Sequence, residues 1–145
     1  MKFIKAGTAA AVLIAAAATI TPPANAMMTH GNYEVWTNRY TDASWVWFVT
    51  PCYPDKKPDC VDVSAIPRPK RGAYYDGFAH LVNGRYTLNV DVPDGLRCPG
   101  HVMPARETYE WDEVSLLGTI TSAYNVGCFN GPPGTQFWTF KLQRL

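Results

Sequence analysis

The chain has 145 residues, with 13 Lys and Arg against 12 Asp and Glu, and hydrophobic types make up 47% of it. A balance this near neutral excludes the basic footprint of a nucleic-acid binder and any general attraction to anionic membranes. The length is that of one domain large enough for its own core.

The first 26 residues read as an export signal. Lys2 and Lys5 form a short positive region, and Ala6 to Ile20 is an alanine-rich apolar run. That run is short for a bilayer span, and Thr21-Pro22-Pro23 breaks it. Ala24-Asn25-Ala26 is a small-x-small cleavage site, so the mature chain is expected to start at Met27. An uncleaved anchor is the alternative, and a mature form without a membrane span is the expectation. No Arg-Arg pair precedes the apolar run and no Cys follows the cleavage site, which favours the general secretory route without a lipid anchor. Residues 27–145 are then a single domain with 11 basic and 12 acidic residues.

No helical period persists after residue 30, where short alternating stretches are separated by Gly, Pro and Asn clusters. Strands are predicted near 32–38, 44–50, 60–66, 73–82, 85–92, 106–112, 114–122 and 137–144. Residues 45–49, Trp-Val-Trp-Phe-Val, are apolar on both faces and predict a central strand covered on both sides. Between the second and third strands lies a Pro-rich loop, 51–59. Pro67-Arg68-Pro69-Lys70-Arg71-Gly72 is the one concentrated basic stretch; it reads as a solvated loop or as a contact for an anionic group. Asn83-Gly84 follows Phe78–Val82 and precedes Arg85–Val92, so both residues that need positive φ in a type I′ hairpin turn are present. Tyr86, Leu88, Val90 and Val92 share one face of the strand that follows. Pro93–Ala105 predicts a break. Val114, Leu116, Gly118 and Ile120 share a face, as do Trp138, Phe140 and Leu142. About eight antiparallel strands of this kind predict an all-β fold, an up-and-down barrel or a two-sheet sandwich.

Cys52, Cys60, Cys98 and Cys128 all lie beyond the export signal. An even count in an exported chain implies two disulfides, and three pairings are open. Cys52–Cys60 with Cys98–Cys128 is preferred, because the first pair brackets a loop that must turn the chain back. A metal site lacks both CxxC spacing and a nearby His pair.

Several local patterns recur together: Trp47-Phe48-Val49-Thr50-Pro51-Cys52 with Cys60-Val61, Leu81 to Thr87, Tyr109-Glu110-Trp111-Asp112, Leu117-Gly118-Thr119, Gly127-Cys128 with Pro133-Gly134, and Phe140-Lys141-Leu142. In these the chain resembles small, uncharacterised exported proteins of mycobacteria, over nearly all of 31–145. The resemblance implies a compact β-barrel or sandwich and brings no catalytic residues with it. Gly31-Asn32-Tyr33 and Arg144 are also similar to the opening Gly-x-Trp and closing Arg of lipocalin-like barrels, with Tyr33 where that motif has Trp and no second motif matched, a similarity of shape.

Chemistry is faint. His30 falls in a mature start expected to be disordered, and His101 in an exposed loop. His80 and Asp76 share a strand face but stand about 13 Å apart, too far for a general-base pair without a partner from another strand. Glu110 and Asp112 share a face about 7 Å apart, a spacing that a glycosidase pair permits. Glu107 and Glu113 complete an acidic group read as solvated. No nucleophile elbow, Cys-His pair or phosphate loop is present, and no cofactor is implied. Aromatic residues number 18 in the mature chain; core packing takes most of them, and an excess on a strand face is expected to form a stacking surface or line a cavity for an apolar ligand. The expectation is a secreted or cell-wall-associated, non-enzymatic binding protein for a small apolar or amphipathic envelope ligand touching Trp36, Trp45, Trp47, Tyr86 and Trp111. A small secreted hydrolase using Glu110, Asp112 or His80 is the alternative. A structural or protein-interaction module, with a filled barrel and an exposed apolar patch, is the third reading.

Overall fold

The computed structural model describes residues 28–39, 44–68 and 74–145. The export signal, the Met27 start and most of the basic stretch (69–72) lie outside the described residues. Eight antiparallel strands close into a barrel in chain order: β1 (Gly31–Thr37), β2 (Ser44–Pro51), β3 (Cys60–Arg68), β4 (Tyr75–Val82), β5 (Arg85–Cys98), β6 (His101–Asp112), β7 (Leu117–Tyr124) and β8 (Gly134–Arg144). Each strand pairs with its neighbour in sequence, and β1 pairs with β8 to close the ring. Of the two predicted architectures, the barrel is the observed one.

Alternation decides which side chains enter. Tyr33 and Val35, Trp45, Trp47 and Val49, Val61 and Val63, Tyr86, Leu88, Val90 and Val92, Tyr109 and Trp111, Ile120, and Phe140 and Leu142 form one buried cluster. Full burial of a large apolar side chain contributes about 1.5–3 kcal/mol. Asn83 and Gly84 have φ of 51° and 76°, the left-handed pair that a type I′ turn requires. Gly118 faces inward, and a Cβ there would stand 2.6 Å from the Phe140 ring, so only glycine lets β7 and β8 close at that point.

The structure corrects the sequence reading in four places. The predicted break at Pro93–Ala105 is the tip of one long hairpin: β5 and β6 run on to a turn at Pro99-Gly100. Pro93 falls in a register shift between Val92 and Leu96, where a residue without N–H disrupts no ladder bond. The strand expected from 114 begins at Leu117, because Asp112 Oδ1 accepts the N–H groups of Val114 and Ser115 and turns the chain; Val114 is exposed, not core. β2 lies between β1 and β3 but is not covered on both faces: Trp45, Trp47 and Val49 face the core, and of the outward pair Val46 is buried while Phe48 reaches solvent. The start is ordered from Met28, which is buried and donates its N–H to the Tyr86 hydroxyl at 3.3 Å. Thr29 C=O accepts from Tyr33 Oη at 2.6 Å, and His30 C=O from Arg144 Nη2 at 3.4 Å.

Both preferred disulfides are present. Cys52–Cys60 closes the β2–β3 loop, and Cys98–Cys128 ties the tip of the β5–β6 hairpin to the β7–β8 loop at the other end of the barrel. Such bonds suit an oxidising, extracellular environment. No helix among the described residues is long and apolar enough to cross a membrane.

Candidate functional site

Four of the five aromatic residues proposed to touch a ligand are in the core. Trp47 packs edge-on against Tyr109 (centroids 5.5 Å apart) and Trp111 (5.2 Å), and against Phe140 (5.6 Å). Tyr86 stacks on Trp111 at 5.2 Å. Trp47, Tyr86 and Trp111 have no solvent exposure, and Trp45 is buried near them. These rings fill one another's space. Trp36 stands on the opposite face of β1, 55% exposed, so no single small ligand touches it together with the other four.

Toward the Cys98–Cys128 end the interior turns polar. Arg39, just after β1, directs its guanidinium inward: Nη2 lies 2.7 Å from Glu107 Oε1 and donates to Gly95 C=O at 2.6 Å. The same guanidinium lies 4.4 Å over the Trp138 ring. Tyr109 Oη donates to Glu107 Oε2 at 2.6 Å, Tyr75 and Tyr109 share a hydrogen bond, and Trp47 Nε1 donates to Tyr75 Oη at 2.9 Å. Burial pushes both tyrosine hydroxyls above their ordinary pKa, and the Glu107 charge pushes the same way. Ser122 Oγ and Gln136 Oε1 share the register row of Glu107 and have no partner among the described residues. The network links β2, β4 and β6, and through Arg39 it reaches Gly95 on β5.

Glu107, expected among several solvated acids, is fully buried. The signal was available: Glu107, Tyr109 and Trp111 alternate on one face of β6. Its partner was not, because Arg39 falls in a segment read only as a break.

The candidate catalytic residues do not converge. His80 and Asp76 are exposed on the outer face of β4, and the groups beside His80 in register are Cys60 and Thr87. Asp112 is a turn residue, its carboxyl held below the usual range by the Ser115 and Val114 N–H groups. Asp62 is raised by partial burial and by Asp76 nearby, on the outer wall away from Glu110. No cluster of three or more metal-ligating side chains occurs among the described residues.

A surface site emerges on the outer wall instead, across β1, β8, β7 and β6. Two adjoining hollows share Asn38 and Thr139. Strand register orders their residues in rows. Trp36, Lys141 and Leu117 form the first; Asn38, Thr139, Thr119 and Glu110 the second; Phe137 and Thr121 the third. Successive rows lie about 7 Å apart along the strands. Trp36 and Phe137 (72% exposed) thus flank a floor of threonines, with Leu117 also exposed. The position of this groove was not legible, because it depends on which residues of β1 and β8 lie opposite each other.

No known protein family matches this chain, nor does any curated protein or solved structure.

Proposed function

We propose that the protein is an exported, non-enzymatic binding protein, released by cleavage after Ala26, that takes a small amphipathic ligand on the outer groove rather than inside the barrel. One observation carries this reading: the core aromatic rings pack on one another, whereas Trp36, Leu117 and Phe137 leave apolar surface exposed along one continuous groove. Apolar surface grouped in a concavity with a few polar groups is the pattern of a ligand site. The contacts among the Trp47, Tyr86, Tyr109, Trp111 and Phe140 rings weigh against a lipocalin-like mode of holding a ligand, and the two disulfides suit the extracellular setting.

Titration of the mature protein with octyl β-glucoside and with decanoate, below their micelle concentrations, tests the reading. Backbone amide shifts should saturate and cluster on β1, β7 and β8, and Trp36→Ala should abolish them with the circular dichroism spectrum unchanged. Absence of saturable shifts with both probes would sink it. Mass spectrometry of protein from the culture medium should separately give a chain beginning at Met27.

A further inference from the structure

We propose, resting on the reading above, that what the groove recognises is a neutral oligosaccharide, with Trp36 and Phe137 stacking on two separate sugar rings. A pyranose presents a face of C–H groups and a rim of hydroxyls. It needs a flat π surface beneath and both donors and acceptors around it. The groove supplies these in the order the strand register dictates.

β8 runs along its floor. Trp36 stands level with Lys141, and Phe137 lies four residues away along the same strand. The two rings are therefore about 14 Å apart along the strand direction, too far to share one sugar and suited to a short chain. Between them the outward groups are hydroxyls, from Thr139, Thr119 and Thr121. Each donates one bond and accepts others, so the surface tolerates either polarity in a ligand hydroxyl.

Asn38 adds a fixed donor. Its Oδ1 accepts the Thr139 N–H at 2.9 Å, and its own N–H donates to Thr139 C=O at 3.3 Å. The amide plane is thereby set, with its NH₂ group directed away from the bonded backbone. Glu110, at the far side, accepts only and is suited to adjacent hydroxyl pairs. Gly118, beside the outward Leu117, adds no side chain to the hollow.

Charge separates a glycan from other occupants. The groove carries one cation, Lys141, in its first row and one carboxylate, Glu110, in its second. That balance gives no preference for a phosphate or an acidic polymer. An acyl chain laid along it would cover the three threonines and Asn38 without satisfying them, which costs free energy for each group. An added protein strand has no main-chain bonds to make, since these strands spend theirs in the ladder.

The test uses an array of neutral tetrasaccharides (maltotetraose, cellotetraose, chitotetraose and mannotetraose) with matching monosaccharides and decanoate, read by calorimetry and amide shifts on the mature protein. At least one tetrasaccharide should bind saturably with shifts on β1, β7 and β8, and its monosaccharide at least tenfold more weakly. Trp36→Ala and Phe137→Ala should each weaken binding at least tenfold with an unchanged circular dichroism spectrum. Decanoate binding at the groove with no response to any tetrasaccharide would overturn the glycan inference and leave the amphipathic reading standing. Silence from every probe, octyl β-glucoside included, would overturn both. Glycan binding indifferent to both substitutions would place the sugar elsewhere and overturn the inference.

Discussion

Replacing Glu107 with Leu removes the carboxylate that pairs with the Arg39 guanidinium inside the barrel. Arg39 and Glu107 side chains are 7% and 0% exposed, and their closest atoms are 2.7 Å apart. Stranding one member of a buried pair costs about 3–5 kcal/mol, whereas replacing both with apolar groups of similar volume is close to neutral or stabilising. Glu107→Leu also removes the acceptor of the Tyr109 hydroxyl, adding about 1 kcal/mol. Against a total stability of about 5–15 kcal/mol, either single variant loses a large share. Urea denaturation of the wild type, Glu107→Leu, Arg39→Met and the double variant closes the cycle. Arg39→Met should lose about 3–5 kcal/mol and Glu107→Leu about 4–6 kcal/mol, and the double should lie nearer the wild type than either single, giving a coupling of about 2 kcal/mol or more. Single losses under about 1 kcal/mol that simply add in the double would show that the pair is solvated and that the polar interior does not hold the barrel's end together.

Three further outcomes follow from other parts of the fold. The two disulfides close loops of 30 and 8 residues, for which loop-closure entropy gives about 3.6 and 2.5 kcal/mol; Cys98→Ser with Cys128→Ser should therefore lower the urea midpoint more than Cys52→Ser with Cys60→Ser. Trp47→Ala should cost about 3–5 kcal/mol, whereas Trp36→Ala should change stability by about 0.5 kcal/mol or less, and equal losses in thermal unfolding would contradict their placement on opposite faces. Tyr75 and Tyr109 hold their protons above the ordinary phenol value in the folded state, so above pH about 10 the unfolded chain loses protons first and stability falls as pH rises. Denaturation at pH 9 and 11 should show this loss, and Tyr75→Phe should reduce it.

The parts of the fold that were legible are those fixed within one strand or one turn. The Asn83-Gly84 turn, the inward set Tyr86, Leu88, Val90 and Val92, and the inward set Trp138, Phe140 and Leu142 need only the two-residue period and local φ preferences. The disulfide pairing was legible because the Pro-rich segment between Cys52 and Cys60 forces a return. Pro93 and Pro104 read as punctuation, yet the long hairpin accommodates both, one of them in a register shift. Val114 lost its expected place to the Asp112 side chain, which competes for the backbone more strongly than an apolar period directs it. Arg39–Glu107 and the Trp36–Phe137 groove lie beyond such reasoning, since each depends on how β1 sits against distant strands once the ring is closed.

Seven of the eight seams in this barrel join strands adjacent in sequence, and the eighth joins its first strand to its last. Thr37 and Thr139, bonded across that seam, are 102 residues apart. Closing a loop of that length costs about 2 kcal/mol more than closing one of ten residues. Hairpin formation is therefore cheap at every seam except this one, and the meander assembles before the cylinder does. A polypeptide delivered from its N-terminus holds a sheet with two bare rims until its final strand arrives. During that interval the unpaired N–H and C=O groups of β1 are a template for any extended neighbour. The last strand to emerge is thus the one that decides whether the rim is sealed by its own chain or by another.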